Sequence, residues 1–176
     1  MKLSASLYSN KNLAIADSVK ELEEYFLDYW HIDSIENLKV FDDIQLLNTI
    51  SETPIDLHVI SKNPAEYYSH IEAHTIDRVS FQIEEVDANF LFPKFSQTKT
   101  GMAIQIGHPQ LSQTIEKYQS QIDFVLLMMT TPGISGGKFE KKYFSTIRQL
   151  TTQFPTINWC IDGGINHEIS YILRLQ

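Results

Sequence analysis

The sequence predicts an α/β fold built on a parallel sheet, and three observations carry that prediction. Short apolar runs alternate with longer segments whose apolar residues recur at helical spacing. Seven such runs occur along the 176 residues, and consecutive parallel strands need a crossover between them, usually a helix. Polar residues gather where several of the runs end. A doubly wound open sheet and a (β/α)8 barrel both satisfy the pattern; strand ends are where a barrel collects its active site.

Taken in order, the expected strands are Lys2–Ser6, Tyr29–Asp33, Ile55–Ile60, Arg78–Ile83, Met102–Ile106, Phe124–Met129 and Ile157–Ile161. Asn12–Asp28 reads as the first helix, because Leu13, Ala16, Val19, Leu22 and Phe26 share one face. Phe41–Ile50 is a shorter periodic segment. Asn63–His74 follows, with Pro64 suited to a first helical turn. Pro109–Gln119, Phe139–Gln153 and His167–Leu175 complete the series. Val86–Thr100 breaks the rhythm: its Phe90, Phe92, Pro93 and Phe95 fit a loop or a short broken helix.

Composition bounds the function. One domain over residues 1–176 is expected from the length, with ordinary globular apolar content of 43%. A net charge of −8 argues against nucleic acid or an anionic membrane as the main partner. It leaves room for a small phosphorylated ligand held by backbone N–H groups. The single cysteine, Cys160, excludes an intrachain disulfide and fits a reducing, cytoplasmic setting. It lies in an apolar run, so a buried, inert thiol is expected.

The chemistry sits at the strand ends. His31 and Asp33 are two apart on one strand and so share a face. His58 falls near the end of the next strand and Asp162 ends the seventh. Two imidazoles and two carboxylates at one level suit Zn2+, Mn2+ or Fe2+. Gly136–Gly137 and Gly163–Gly164 each follow a strand and precede a helix, where bare backbone can approach an anion. Tight turns with no ligand would use the same residues.

In this order, the motifs resemble those of the ribulose-phosphate 3-epimerase family, along nearly the whole chain. Ser4–Ser9 resembles the family's opening strand, with its substrate-contacting serine at Ser9. His31–Ile32–Asp33, Asp56–Leu57–His58 and Asp162–Gly163–Gly164–Ile165–Asn166 resemble its second, third and seventh strand motifs. Pro132–Gly133 through Gly136, then Lys138–Phe139, resembles its glycine-rich loop after the sixth strand. The resemblance implies a (β/α)8 TIM barrel that interconverts D-ribulose 5-phosphate and D-xylulose 5-phosphate. It implies one divalent metal ion on His31, Asp33, His58 and Asp162, which stabilises an enediolate. Asp33 and Asp162 are the implied acid–base pair. Ser9, His58, Gly133, Ser135, Gly136, Gly163 and Gly164 are the implied substrate contacts.

Departures from the family pattern adjust these expectations. Ile35 and Ile60 stand where methionines are usual, Gln82 where histidine is common, Ser135 where a glycine and Gly137 where a glutamine is found. The chain is about one βα unit short after Leu175, so the expected barrel is truncated after its seventh unit, with the eighth strand absent. Unpaired strand edges are association-prone, so a homo-oligomer is expected. An epimerase for a related ketose phosphate such as allulose 6-phosphate is an alternative. A non-catalytic sugar-phosphate-binding paralogue is another.

Overall fold

The computed structural model describes residues 1–9, 13–134 and 136–175. Seven strands form one sheet: β1 (Ser4–Ser6), β2 (Tyr29–Ile35), β3 (Ile55–Ile60), β4 (Arg78–Gln82), β5 (Lys99–Gln105), β6 (Phe124–Met128) and β7 (Asn158–Asp162). Six α-helices accompany them: α1 (Ile15–Leu22), α2 (Val40–Ile50), α3 (Tyr68–Ala73), α4 (Leu111–Tyr118), α5 (Tyr143–Gln153) and α6 (His167–Arg174).

Every strand pairs in parallel with its sequence neighbour, and the spatial order is the chain order. A doubly wound sheet reverses its order at a switch point; this one does not. The sheet also curls. Strands three places apart in a flat sheet lie about 14 Å from each other. Here Arg78 on β4 donates from Nη1 to Cys160 Sγ on β7 at 3.2 Å. The result is an incomplete (β/α) barrel, with no β1–β7 pairing among the described residues.

Strand alternation divides the side chains between two apolar layers. Trp30, Ile32, Leu57, Val59, Val79, Phe81, Met102, Ile104, Val125 and Leu127 face outward and pack under Val40, Ile44, Leu47, Ile71, Ile115, Ile147 and Leu150 of the helices. A smaller layer inside the curl contains Ala103, Phe124, Leu126 and Met128, with Cys160 against it. The inner faces of β2, β3 and β4 carry His31, Asp33, Asp56, His58, Arg78, Ser80 and Gln82. The interior therefore has a polar wall and an apolar wall.

Gly101 on β5 belongs to the apolar wall. A Cβ there would lie 2.6 Å from Phe124 Cε1, with other ring atoms closer still. Gly101→Ala is expected to cost about 1–3 kcal/mol through overpacking, which lowers Tm by about 2–4 °C per kcal/mol in a chain of this size. Thermal unfolding of the variant beside the unsubstituted chain measures this; an unchanged Tm contradicts the packing.

Helix boundaries depart from the periodicity in places. The first helix stops at Leu22, although Phe26 continues the apolar spacing. The chain must turn there to enter β2 beside β1. Asp28 N donates to Leu3 O at 2.8 Å, and Leu3 N donates to Asp28 Oδ2 at 2.7 Å. This leaves Tyr25 and Phe26 exposed. The expected Asn63–His74 helix begins as a 3-10 turn over Pro64–Tyr67 before α3. Between β4 and β5 the chain forms a loop. Aromatic edge-to-face contacts occupy the place of a crossover helix, with Phe90 and Phe92 centroids 4.9 Å apart and Phe92 and Tyr118 5.2 Å apart.

Candidate functional site

β2 and β3 build the centre of the site. Alternation sends His31, Asp33 and Ile35 to the inside from β2, and Asp56, His58 and Ile60 from β3. Register sets His31 beside Asp56 and Asp33 beside His58. One ligand atom from each of His31, Asp33 and His58 lies within 4.8 Å of the others. Among the described residues, Asp162 is not part of that group. It ends β7 at the same end of the barrel and is half-buried.

Hydrogen bonds define which imidazole nitrogens are free. Asp56 Oδ2 lies 3.0 Å from His31 Nδ1 and also accepts from Arg78 Nη2 at 2.7 Å. An ionised carboxylate only accepts, so His31 Nδ1 carries the proton and Nε2 faces Asp33 Oδ1 at 3.4 Å. On β4, Gln82 donates its amide N–H to Glu84, which turns its carbonyl oxygen toward His58 Nε2 at 2.8 Å. His58 Nε2 therefore donates. Its Nδ1 then faces Asp33 Oδ1 at 2.9 Å, lone pair toward lone pair, so a proton or a cation has to lie between them.

Charge and burial act together here. Burial alone would lower the pKa of His31; the carboxylates of Asp56 and Asp33 more than offset it and hold it well above 6.5. Burial alone would raise Asp33; the neighbouring imidazoles of His31 and His58 hold it far below the usual carboxylate range. Asp56 is likewise lowered against its burial, by His31 and Arg78.

His31 Nε2 is buried and has no hydrogen-bond partner among the described residues. Two nitrogens and a carboxylate oxygen within 4.8 Å of one another fit a divalent transition metal.

The glycine turns have close neighbours inside the protein. A Cβ on Gly163 would lie 2.7 Å from Thr130 Oγ1, and Gly137 is hemmed in by the same threonine. Gly164 has φ +66°, and a Cβ there would lie 2.8 Å from Lys138 C and 2.9 Å from Gly137 O. The loops after β6 and β7 are thus pressed together, backbone on backbone. Gly133 abuts Ile35, so the loop after β6 also reaches the ends of β2 and β3. Gly136 faces open space. Asn166 closes the seventh-strand motif as the cap of α6, its Oδ1 accepting from Ile169 N at 3.0 Å. Ser9 is exposed at the end of a 3-10 turn, Leu7–Ser9; Tyr8 Oη donates to Asp43 Oδ2 at 2.6 Å and ties that turn to α2. Ser135, an expected substrate contact, lies outside the described residues.

Residues 2–174 match the model of the ribulose-phosphate 3 epimerase family. The chain belongs to that family. Ribulose-phosphate 3-epimerase relatives align along most of it. The Methanocaldococcus jannaschii ribulose-phosphate 3-epimerase is 24% identical, over 96% of this chain and 76% of its own length. That of Bacillus subtilis is 24% identical, over 96% of this chain and 83% of its own. The Oryza sativa relative named as the cytoplasmic isoform is 23% identical, over 93% and 77%.

For a ribulose-phosphate 3-epimerase family member, the gathered His31, Asp33 and His58 are the residues the sequence motifs single out. Asp56 and Arg78 were not singled out as site residues by sequence reasoning. The signal available was modest: Asp56 precedes His58 by two on one strand, and Arg78 precedes Gln82 by four on the next, so each pair shares a face.

Proposed function

We propose that this protein inverts C3 of a ketose phosphate, converting D-ribulose 5-phosphate to D-xylulose 5-phosphate. The observation that carries the reading is the convergence of His31, Asp33 and His58 at the mouth of an incomplete barrel in a chain of this family. Inversion beside a carbonyl removes a proton from one face of the carbon and returns one to the other. Asp33, held ionised by two histidines, fits the base on one face. Asp162 arrives from β7 and serves the opposite face.

His31, Asp33 and His58, with Asp162 as fourth ligand, would hold a divalent ion, which would supply Lewis-acid stabilisation of the charge that develops on the substrate oxygens. His31 and His58 orient Asp33, and the apolar wall of Leu126 and Met128 excludes water from the polar one. Gly136 offers open backbone to the substrate phosphate, and the family motifs add Gly133, Ser135, Gly163, Gly164 and Ser9 as proposed substrate contacts. The edges of β1 and β7, unpaired among the described residues, favour assembly with further copies, and the Oryza sativa relative named as the cytoplasmic isoform supports a cytoplasmic setting.

In D2O, the chain loaded with Zn2+, Mn2+ or Fe2+ should replace the C3 proton of ribulose 5-phosphate with deuterium, followed by proton NMR. No exchange with any ketose phosphate at full metal occupancy overturns the proposal.

A further inference from the structure

Arg78 opens β4 and lies on the floor of the barrel, below the candidate site. Its Nη2 donates to Asp56 Oδ2 at 2.7 Å and its Nη1 to Cys160 Sγ at 3.2 Å. The guanidinium carbon sits 3.9 Å from the centroid of Tyr29 and 5.3 Å from that of Phe124. One side chain thus touches groups on β2, β3, β6 and β7. We propose that Arg78 is a positioning residue for the candidate metal centre: through Asp56 it fixes the ring of His31, so that Nε2 points at the site beside Asp33. This rests on the metal-site reading above.

The geometry leaves Asp56 few other anchors. Its side chain is 2% exposed, and its Oδ1 has no hydrogen-bond partner among the described residues. Both contacts that orient the carboxylate meet at Oδ2: Arg78 on one side and His31 Nδ1 on the other. Without Arg78, the carboxylate would be free to turn about its last torsion. His31 would then lose the acceptor that selects the Nδ1–H form. Metal-bound histidines depend on such partners for tautomer and ring orientation. A guanidinium suits the task because it stays charged at any working pH and its planar fork serves two acceptors while stacking on an aromatic face.

Arg78→Met tests the proposal by two readouts. Ring nitrogen chemical shifts of His31, recorded on the metal-free chain at a pH where the imidazole is neutral, should show Nδ1–H in the unsubstituted chain and a mixture of tautomers in the variant. Zn2+ affinity, measured by competition with a chromophoric chelator, should fall by about 10- to 100-fold. Arg78→Lys keeps the charge without the fork and should fall between the two. It is also the deciding variant where the methionine chain does not fold. A purely structural Arg78 would lower Tm and leave both readouts in place. An unchanged tautomer with Zn2+ affinity within threefold, in either folded variant, overturns the proposal. If the unsubstituted chain itself binds no Zn2+, the metal reading fails, and the ring nitrogen shifts still decide the role of Arg78.

Discussion

Asp33→Asn is expected to abolish measurable C3 proton exchange, a loss of at least about 10²–10⁴-fold. The amide keeps the shape of the carboxylate and removes both of its proposed roles. It cannot take the C3 proton, and it presents an N–H or a neutral oxygen where His31 and His58 now meet an anion. Asp162→Asn is the informative partner. On the two-base reading it blocks inversion from the opposite face, while the Asp33–His31–His58 group stays assembled. Exchange followed from both epimers therefore separates the two carboxylates. Asp33→Asn with exchange within tenfold of the unsubstituted chain would sink the assignment of Asp33 as a base.

The second large effect is on pH. Between the depressed pKa of Asp33 and the raised pKa of His31, the metal-free site holds a proton in the place a cation would take. Metal binding must expel it. Apparent Zn2+ Kd is therefore expected to tighten about tenfold per pH unit as pH rises toward the His31 pKa, then level off. Titration calorimetry in buffers of different ionisation enthalpy counts the released proton; no proton release near neutral pH contradicts the geometry.

The stability of the metal-free chain follows with definite signs. The raised His31 pKa gives a contribution fully present below the ordinary 6.5 and lost as pH climbs through the folded value. The lowered Asp33 and Asp56 pKa values give contributions present above 3.8 and lost as pH falls through the folded values. The metal-free chain is thus expected to be most stable between the two ordinary values, with the alkaline decline suppressed by bound metal.

Much of the fold was legible in the sequence because strand signals are local. Ile55–Ile60 falls where its apolar run places it. β5 was harder. It begins at Lys99, three residues before Met102, since Lys99, Thr100 and Gly101 are strand residues only by pairing with Arg78, Val79 and Ser80. The β4–β5 loop was ambiguous for a related reason: its aromatics pack against Tyr118, a residue far along the chain.

The site divides in the same way. His31, Asp33 and His58 were readable from a two-residue period and a family motif. The Arg78–Asp56 pair depends on β3–β4 register, which places Arg78 directly beside Asp56 and which no short sequence pattern encodes. The glycines were readable as turns. That Gly163 and Gly137 share Thr130 as a neighbour depends on two loops meeting.

Sequential strand order has a consequence for how the molecule is made. His31, Asp33, Asp56, His58, Arg78 and Gln82 all lie on β2, β3 and β4, each strand hydrogen-bonded to the next. The polar wall thus occupies less than half of the polypeptide, near its amino-terminal side. Because synthesis runs from the amino terminus, the three strands that carry these six side chains leave the ribosome before β5, β6 and β7. The later strands then supply the apolar wall and Asp162. The histidine cluster is thus synthesised first, and Asp162 is synthesised last of the proposed metal ligands.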